Sequence, residues 1–155
     1  MADENSSPYG LDYNDMVMLA NIEKSKQKER YCFFLDIDGT LLKHFGDKQE
    51  QFEDKIEVLP GVREFFQLCG KNGHIVILTS GRRESFREIT KRQLKNACIP
   101  YDQLILGCSN AIRVLVNDTK PYREDSPVTA LCFNLVRDEG VNKLVDFLKE
   151  NNNGT

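Results

Sequence analysis

Asp36 and Asp38 are the residues of this chain best placed by type and spacing to do chemistry. They close an apolar run, Phe33-Phe34-Leu35-Asp36-Ile37-Asp38, and Gly39 and Thr40 follow at once. A run of that kind reads as a buried strand. A strand that stops abruptly at two carboxylates delivers them to the carboxyl edge of a sheet, where open α/β folds bind their ligands. Two carboxylates two residues apart also make half of a Mg²⁺ site, because that cation takes oxygen ligands from one or two carboxylates and from substrate phosphate. Asp-Gly is an ordinary turn dipeptide as well, but the strand before it is too apolar for a merely solvated turn.

Two further stretches have the same build. Ile75-Val-Ile-Leu-Thr-Ser-Gly-Arg82 is an apolar strand that ends in the hydroxyls of Thr79 and Ser80, followed by Gly81 and Arg82. Taken alone, such a strand end serves equally as a helix cap or as a phosphate contact. Arg113-Val-Leu-Val-Asn-Asp-Thr-Lys-Pro121 runs from a basic residue through a short apolar strand to Asn117 and Asp118, with Lys120 just beyond.

The segment Asp36-Ile-Asp38-Gly-Thr40 resembles the first motif of the haloacid dehalogenase superfamily, in the form found in its phosphatase and phosphotransferase branches. The stretch ending at Arg82 resembles the second motif. The resemblance implies that Asp36 is a nucleophile that takes the phosphoryl group as an aspartyl phosphate, and that Asp38 is the general acid and later the base. It also implies that Thr79 or Ser80, with the backbone at Gly81 and Arg82, contacts the transferring phosphoryl group. Asn117 and Asp118 occupy the place where the superfamily completes its Mg²⁺ site, with Asn117 standing where an acid is usual. A neutral carbonyl oxygen can still ligate, which leaves the anionic part to Asp118 beside Asp36 and Asp38. The superfamily also uses a basic residue to neutralise nucleophile and phosphate. Here Lys120 and Arg113 are the candidates, and Lys120 is favoured because it follows the metal-site turn. The resemblance spans most of residues 31 to 121.

The elements that must position these groups can be read from the apolar pattern. A polar, flexible start is expected over residues 1–10, a single domain over 11–150, and a frayed tail over 151–155. Asn14 to Arg30 reads as a helical appendage, with Met16, Leu19, Ala20 and Ile22 on its apolar side. Pro60-Gly61 opens a helix through about Leu68, punctuated by Gly70 and Gly73, with Val62, Phe65 and Phe66 buried. A strand follows over His74 to Leu78 and a helix over Glu84 to Ala97. Leu104 to Leu106, Val114 to Val116 and Thr129 to Phe133 make further strands, and Val141 to Glu150 a closing helix. Strands alternating with helices predict a doubly wound, Rossmann-like parallel sheet with helices on both faces. The gap from Lys43 to Leu59, and the interval after Arg82, are too short for a folded cap, so the expected core is capless with an open site.

Composition bounds the rest. The 155 residues are 40% hydrophobic and 29% charged, enough for one core. No stretch reaches the length of a membrane span and the acidic start lacks a signal peptide's pattern, so a cytoplasmic protein is expected. A net charge of −3 argues against a surface built to coat nucleic acid. Five cysteines without metal-site spacing read as buried thiols. Arg83, Arg87, Lys91 and Lys95 form a basic ridge, but Glu84 and Glu88 lie within it, and a solvated face is the simpler reading. The function expected is a Mg²⁺-dependent phosphomonoesterase acting on a small phosphorylated metabolite such as a sugar phosphate, with a homo-oligomer as one way to cover the site. A nucleic-acid phosphate end is the second choice, and a weakened phosphate-binding or regulatory domain the third.

Overall fold

Three parallel strands carry the molecule in the computed structural model, which describes residues 29–46, 56–120, 122 and 128–152. They are β1 (Cys32–Asp36), β2 (Ile75–Thr79) and β3 (Gln103–Ile105), side by side in that order. The helices are α1 (Val62–Asn72), α2 (Arg87–Asn96), which follows a single 3₁₀ turn at Glu84–Phe86, and α3 (Asn142–Asn152). The helix expected over residues 14–30 falls mostly outside the described residues. Its last two positions, Glu29 and Arg30, are not helical, and the Arg30 guanidinium instead donates to the Gly73 carbonyl at 2.9 Å. No described helix is long and apolar enough to cross a membrane.

Register sorts the strand residues onto two faces. Phe33 lies opposite Val76, Leu35 opposite Leu78, and Leu78 opposite Leu104, so these five share one face. They join the core with Phe65, Phe66 and Cys69 of α1, Leu94 of α2, and Leu144, Val145 and Leu148 of α3. Strand order follows chain order, so both crossovers step the same way, and crossovers of one hand put their helices on one face. Among the described residues the helices therefore lie on one face of the sheet, an α/β layer pair consistent with a Rossmann-like core.

The sheet also stops short of the doubly wound form. Val114–Val116 and Thr129–Phe133, expected as strands, are irregular and largely exposed. Local bonds occupy this region instead: Arg113 donates to the carbonyls of Ser109 and Ala111, and Asn117 and Asp118 both meet Thr129. Side chains that bond nearby backbone compete with ladder formation. Other boundaries shift modestly. Gly70 lies inside α1, whereas Gly73 ends it in a left-handed conformation, and α3 runs on through Asn152 into the expected tail. The thiols are free, but only Cys69 is buried. Its burial pushes the thiol up to about 12, while Cys32, Cys98 and Cys132 are exposed.

One buried group links the entry of β1 to that of β2. The Tyr31 backbone N–H donates to His74 Nδ1 at 3.2 Å, which fixes the imidazole proton on Nε2, and that atom is buried without a hydrogen-bond partner. Burial, and then the Arg30 charge, hold the His74 pKa below its ordinary 6.5. Because the unfolded chain takes up the proton first, stability is complete above about pH 6.5 and falls as pH drops through the window beneath it. Urea midpoints measured from pH 7.5 to about 5 should fall with acidity in the native chain, and His74→Phe should flatten that part of the dependence.

Candidate active site

The loop that carries the two carboxylates is built on one buried side chain. Ile37, fully buried, points its carbonyl at the backbone N–H groups of Leu41 and Leu42, at 2.9 and 3.0 Å, and the Gly39 N–H returns to the Leu42 carbonyl at 2.7 Å. Gly39 sits at φ 88°, in the left-handed region that favours glycine, with Arg137 Cγ 3.0 Å from where a Cβ would stand. The turn before α3 holds this loop from outside. The Asp138 N–H donates to the Gly39 carbonyl at 2.9 Å, and Asp138 Oδ1 accepts from the His44 N–H at 2.7 Å. Sequence reasoning missed Asp138 and Arg137. The one available signal was the turn composition of Asp138-Glu139-Gly140, which says nothing about what the turn touches.

Asp36 ends β1 in register with Thr79 at the end of β2, which in turn pairs with Ile105, so the predicted nucleophile and hydroxyl strand end share the last rung of the sheet. The hydroxyls are already engaged. Thr79 donates to the Leu35 carbonyl at 3.4 Å, and Ser80, 1% exposed, accepts from the Arg82 N–H at 3.1 Å. Gly81 is required by close approach, since a Cβ there would lie 2.8 Å from the Ser109 carbonyl oxygen.

Arg82 was expected on phosphate and is found on Asp38. Its Nε and Nη2 donate to the two oxygens of that carboxylate at 2.8 and 2.7 Å, and its Nη1 donates to Thr90 and Gln93 of α2 at 3.1 and 2.6 Å. The pair is buried on the arginine side and nearly so on the aspartate side. A fork held at all three nitrogens fixes the Asp38 carboxyl plane. Each carboxylate oxygen keeps a further lone pair for a proton.

Of the two candidate cations, Arg113 is the one beside Asp36, with Nη2 3.7 Å from Asp36 Oδ1. Lys120 instead pairs with Asp118 at 2.5 Å, on the surface with Asn117 and Thr129. The expected site residues thus fall into two groups: Asp36, Asp38, Thr79, Ser80, Gly81, Arg82 and Arg113 at the sheet edge, and Asn117, Asp118 and Lys120 away from it, with Lys120 on Asp118 and both Asn117 and Asp118 bonded to Thr129. Among the described residues no three His, Cys, Asp or Glu side chains gather into one group, and Asn117 and Asp118 are bonded to Thr129 rather than to Asp36 or Asp38. A small hollow beside Asp38 is also lined by Lys43, Phe45 and Arg82. A wider one, between Pro60, Arg63 and Asn142, is lined by neither Asp36 nor Asp38.

Two of the four ridge cations are paired within it, Arg87 on Glu84 and Lys91 on Glu88. Burial raises the Asp36 pKa above the usual carboxylate range; the Arg113 charge opposes this and the Asp38 charge adds to it, with smaller lowering effects from the Ile37 backbone N–H and His44. Titration of the Asp36 carboxyl followed by carbon NMR should give a midpoint above 3.8 in the native chain and higher still in Arg113→Gln. An unchanged midpoint in the variant would place Arg113 away from Asp36 in solution.

No known protein family matches this chain, and no curated protein matches it. Among solved structures, two of a Pnkp1/Rnl/Hen1 RNA repair complex are similar at 30% identity. They cover 54% and 62% of this chain, with TM-scores of 0.45 and 0.44. This chain spans 30% and 28% of the matched chains. An MCSG target from Vibrio cholerae is 13% identical, with 77% of this chain and 98% of that one covered, at a TM-score of 0.43. All three TM-scores lie below 0.5, and function is argued from the site itself.

Proposed function

We propose that this chain is a phosphomonoester hydrolase that works through a phosphorylated Asp36. The observation that carries the reading is the pairing at the sheet edge: a nucleophile-capable carboxylate with a guanidinium 3.7 Å away, and a second carboxylate two residues on, clamped by Arg82. In the reaction, an Asp36 oxygen attacks phosphorus and the ester P–O bond breaks in line. Asp38 gives its proton to the departing oxygen. It then takes a proton from water, which attacks the aspartyl phosphate, releases inorganic phosphate and restores Asp36. Arg113 balances charge on the phosphoryl oxygens.

The reading includes Mg²⁺: Asp36 and Asp38, with substrate phosphate, would hold it, and its chemistry would be to screen the repulsion between an anionic nucleophile and an anionic ester. In the described arrangement Asn117 and Asp118 lie with Thr129 and Lys120, and Arg113 takes the place beside Asp36.

A small phosphorylated metabolite such as a sugar phosphate is the favoured substrate, because two of the four cations of the ridge that could follow a polyanion are paired with Glu84 and Glu88. Phosphate release should be followed with an aryl phosphate and with a panel of sugar phosphates, nucleotides and phosphate-ended oligonucleotides. Turnover is expected with Mg²⁺ and not with chelator. It should be absent in Asp36→Asn and reduced roughly 10²- to 10⁴-fold in Asp38→Asn. Preference for oligonucleotide ends would reassign the substrate class. A folded native chain inactive on the whole panel would contradict the enzymatic reading and favour a phosphate-binding or regulatory domain.

A further inference from the structure

Helix α2 turns polar side chains into its packed face. Of the three residues it buries, Leu94 is apolar, but Thr90 and Gln93 are not, and they are 0% and 1% exposed. Three positions apart, they are neighbours on the helix surface. A buried amide or hydroxyl without a partner costs stability, and a leucine at 93 would be close to glutamine in size and in helix propensity. The polar pair is therefore explained by what it bonds. That partner is Arg82 Nη1, which donates to Gln93 Oε1 at 2.6 Å and to Thr90 Oγ1 at 3.1 Å.

The bond sits at the corner of the guanidinium that Asp38 leaves over. Nε and Nη2 face the two Asp38 oxygens at 2.8 and 2.7 Å, and Nη1 is the third nitrogen. Two parallel bonds between planar groups fix their mutual orientation, yet the joined pair can still swing on the rotatable stems of both side chains. An anchor at Nη1 removes that swing, because α2 is itself held in the core through Leu94. Of the glutamine amide only the carbonyl oxygen can accept from a guanidinium, so the Gln93 side chain is oriented as well. Gln93 also lines the same small hollow as Asp38 and Arg82.

We propose that Gln93, with Thr90 beside it, is a positioning residue for Asp38: it pins the Arg82 fork to α2, so that the Asp38 carboxyl meets the departing oxygen, and then water, in one fixed plane. The proposal rests on the hydrolytic reading above and extends it to a residue that touches no reacting atom. Its signature is selective. A misaligned acid slows departure of a poor leaving group, which needs the proton as the P–O bond breaks, and hardly affects a good one, which departs as an anion. A residue that only stabilised the fold would change every leaving group alike.

The test follows phenol release in the first turnover of aryl phosphates, from dinitrophenyl to phenyl, with the full-length chain in excess and Mg²⁺ present. In Gln93→Leu, release from phenyl phosphate should fall roughly 10- to 100-fold, and release from dinitrophenyl phosphate by less than about threefold. Gln93→Glu, which keeps an oxygen acceptor, should bring phenyl phosphate back to within about threefold of the native rate. Nitrogen NMR of the arginine side chains reads the anchor without turnover: the Arg82 Nη groups should rotate slowly in the native chain and in Gln93→Glu, and rapidly in Gln93→Leu. Urea midpoints check folding, and Gln93→Met replaces Gln93→Leu if the latter does not fold. Equal losses for every leaving group, an unchanged rate in Gln93→Leu, or rapid rotation of Arg82 in the native chain would overturn the proposal and leave the hydrolytic reading standing. A native chain that acts on none of the esters while Arg82 rotates slowly would instead overturn the hydrolytic reading, and the positioning role with it.

Discussion

The Arg82 guanidinium is the tie on which the sheet edge depends. It leaves the loop after β2, grips both oxygens of Asp38 in the loop after β1, and reaches back to Thr90 and Gln93 of α2. The two loops and the helix are thereby held in one geometry. The pair is mostly shielded from water, so removing one partner would leave a stranded charge at a cost of about 3–5 kcal/mol. Its value to the molecule is orientation more than net stability: a planar fork holds a planar carboxylate, and in the proposed reaction that carboxylate must face the leaving oxygen and then water.

Around that tie, the molecule separates a rigid side from an open one. The helix side is filled by Phe65, Leu78, Leu94, Val141 and Leu148, all buried to within a few per cent. Gly140 seats the turn before α3 directly against the Pro60 carbonyl, where no side chain would fit, and the same turn holds Gly39 through Asp138. Packing on one side therefore fixes the loop that displays Asp36 on the other. The open side carries Asp36, Thr79 and an apolar surface, and it is there that the proposed reaction takes place.

Much of this was legible in the sequence, for identifiable reasons. Continuous apolar runs bounded by turn residues gave β1, β2 and β3 to within a residue, and Pro60-Gly61 marked the start of α1. The carboxyl ends of β1 and β2 could be placed side by side because each run stops at a polar residue. What failed were inferences needing partners distant in the chain. Val114–Val116 has a strand's composition, but local bonding by Arg113 and Asn117 keeps it out of the ladder. Spacing could not tell Lys120 from Arg113, since a short loop allows either to reach Asp36, and Lys120 has an acid two residues away. The role of Arg82 was equally hidden: a cation beside a phosphate motif suggests phosphate until the position of Asp38 is known.

The central claim is that the end of β1 is where a phosphoryl group becomes covalently attached. Its most direct test is to quench the native chain with acid during reaction with an aryl phosphate and map phosphorylation by peptide mass spectrometry. The account predicts an alkali- and hydroxylamine-labile phosphoryl group on Asp36, accumulating when Asp38→Asn slows its hydrolysis. Hydrolysis of the aryl phosphate with no label at Asp36, or with a label on another residue, would contradict it.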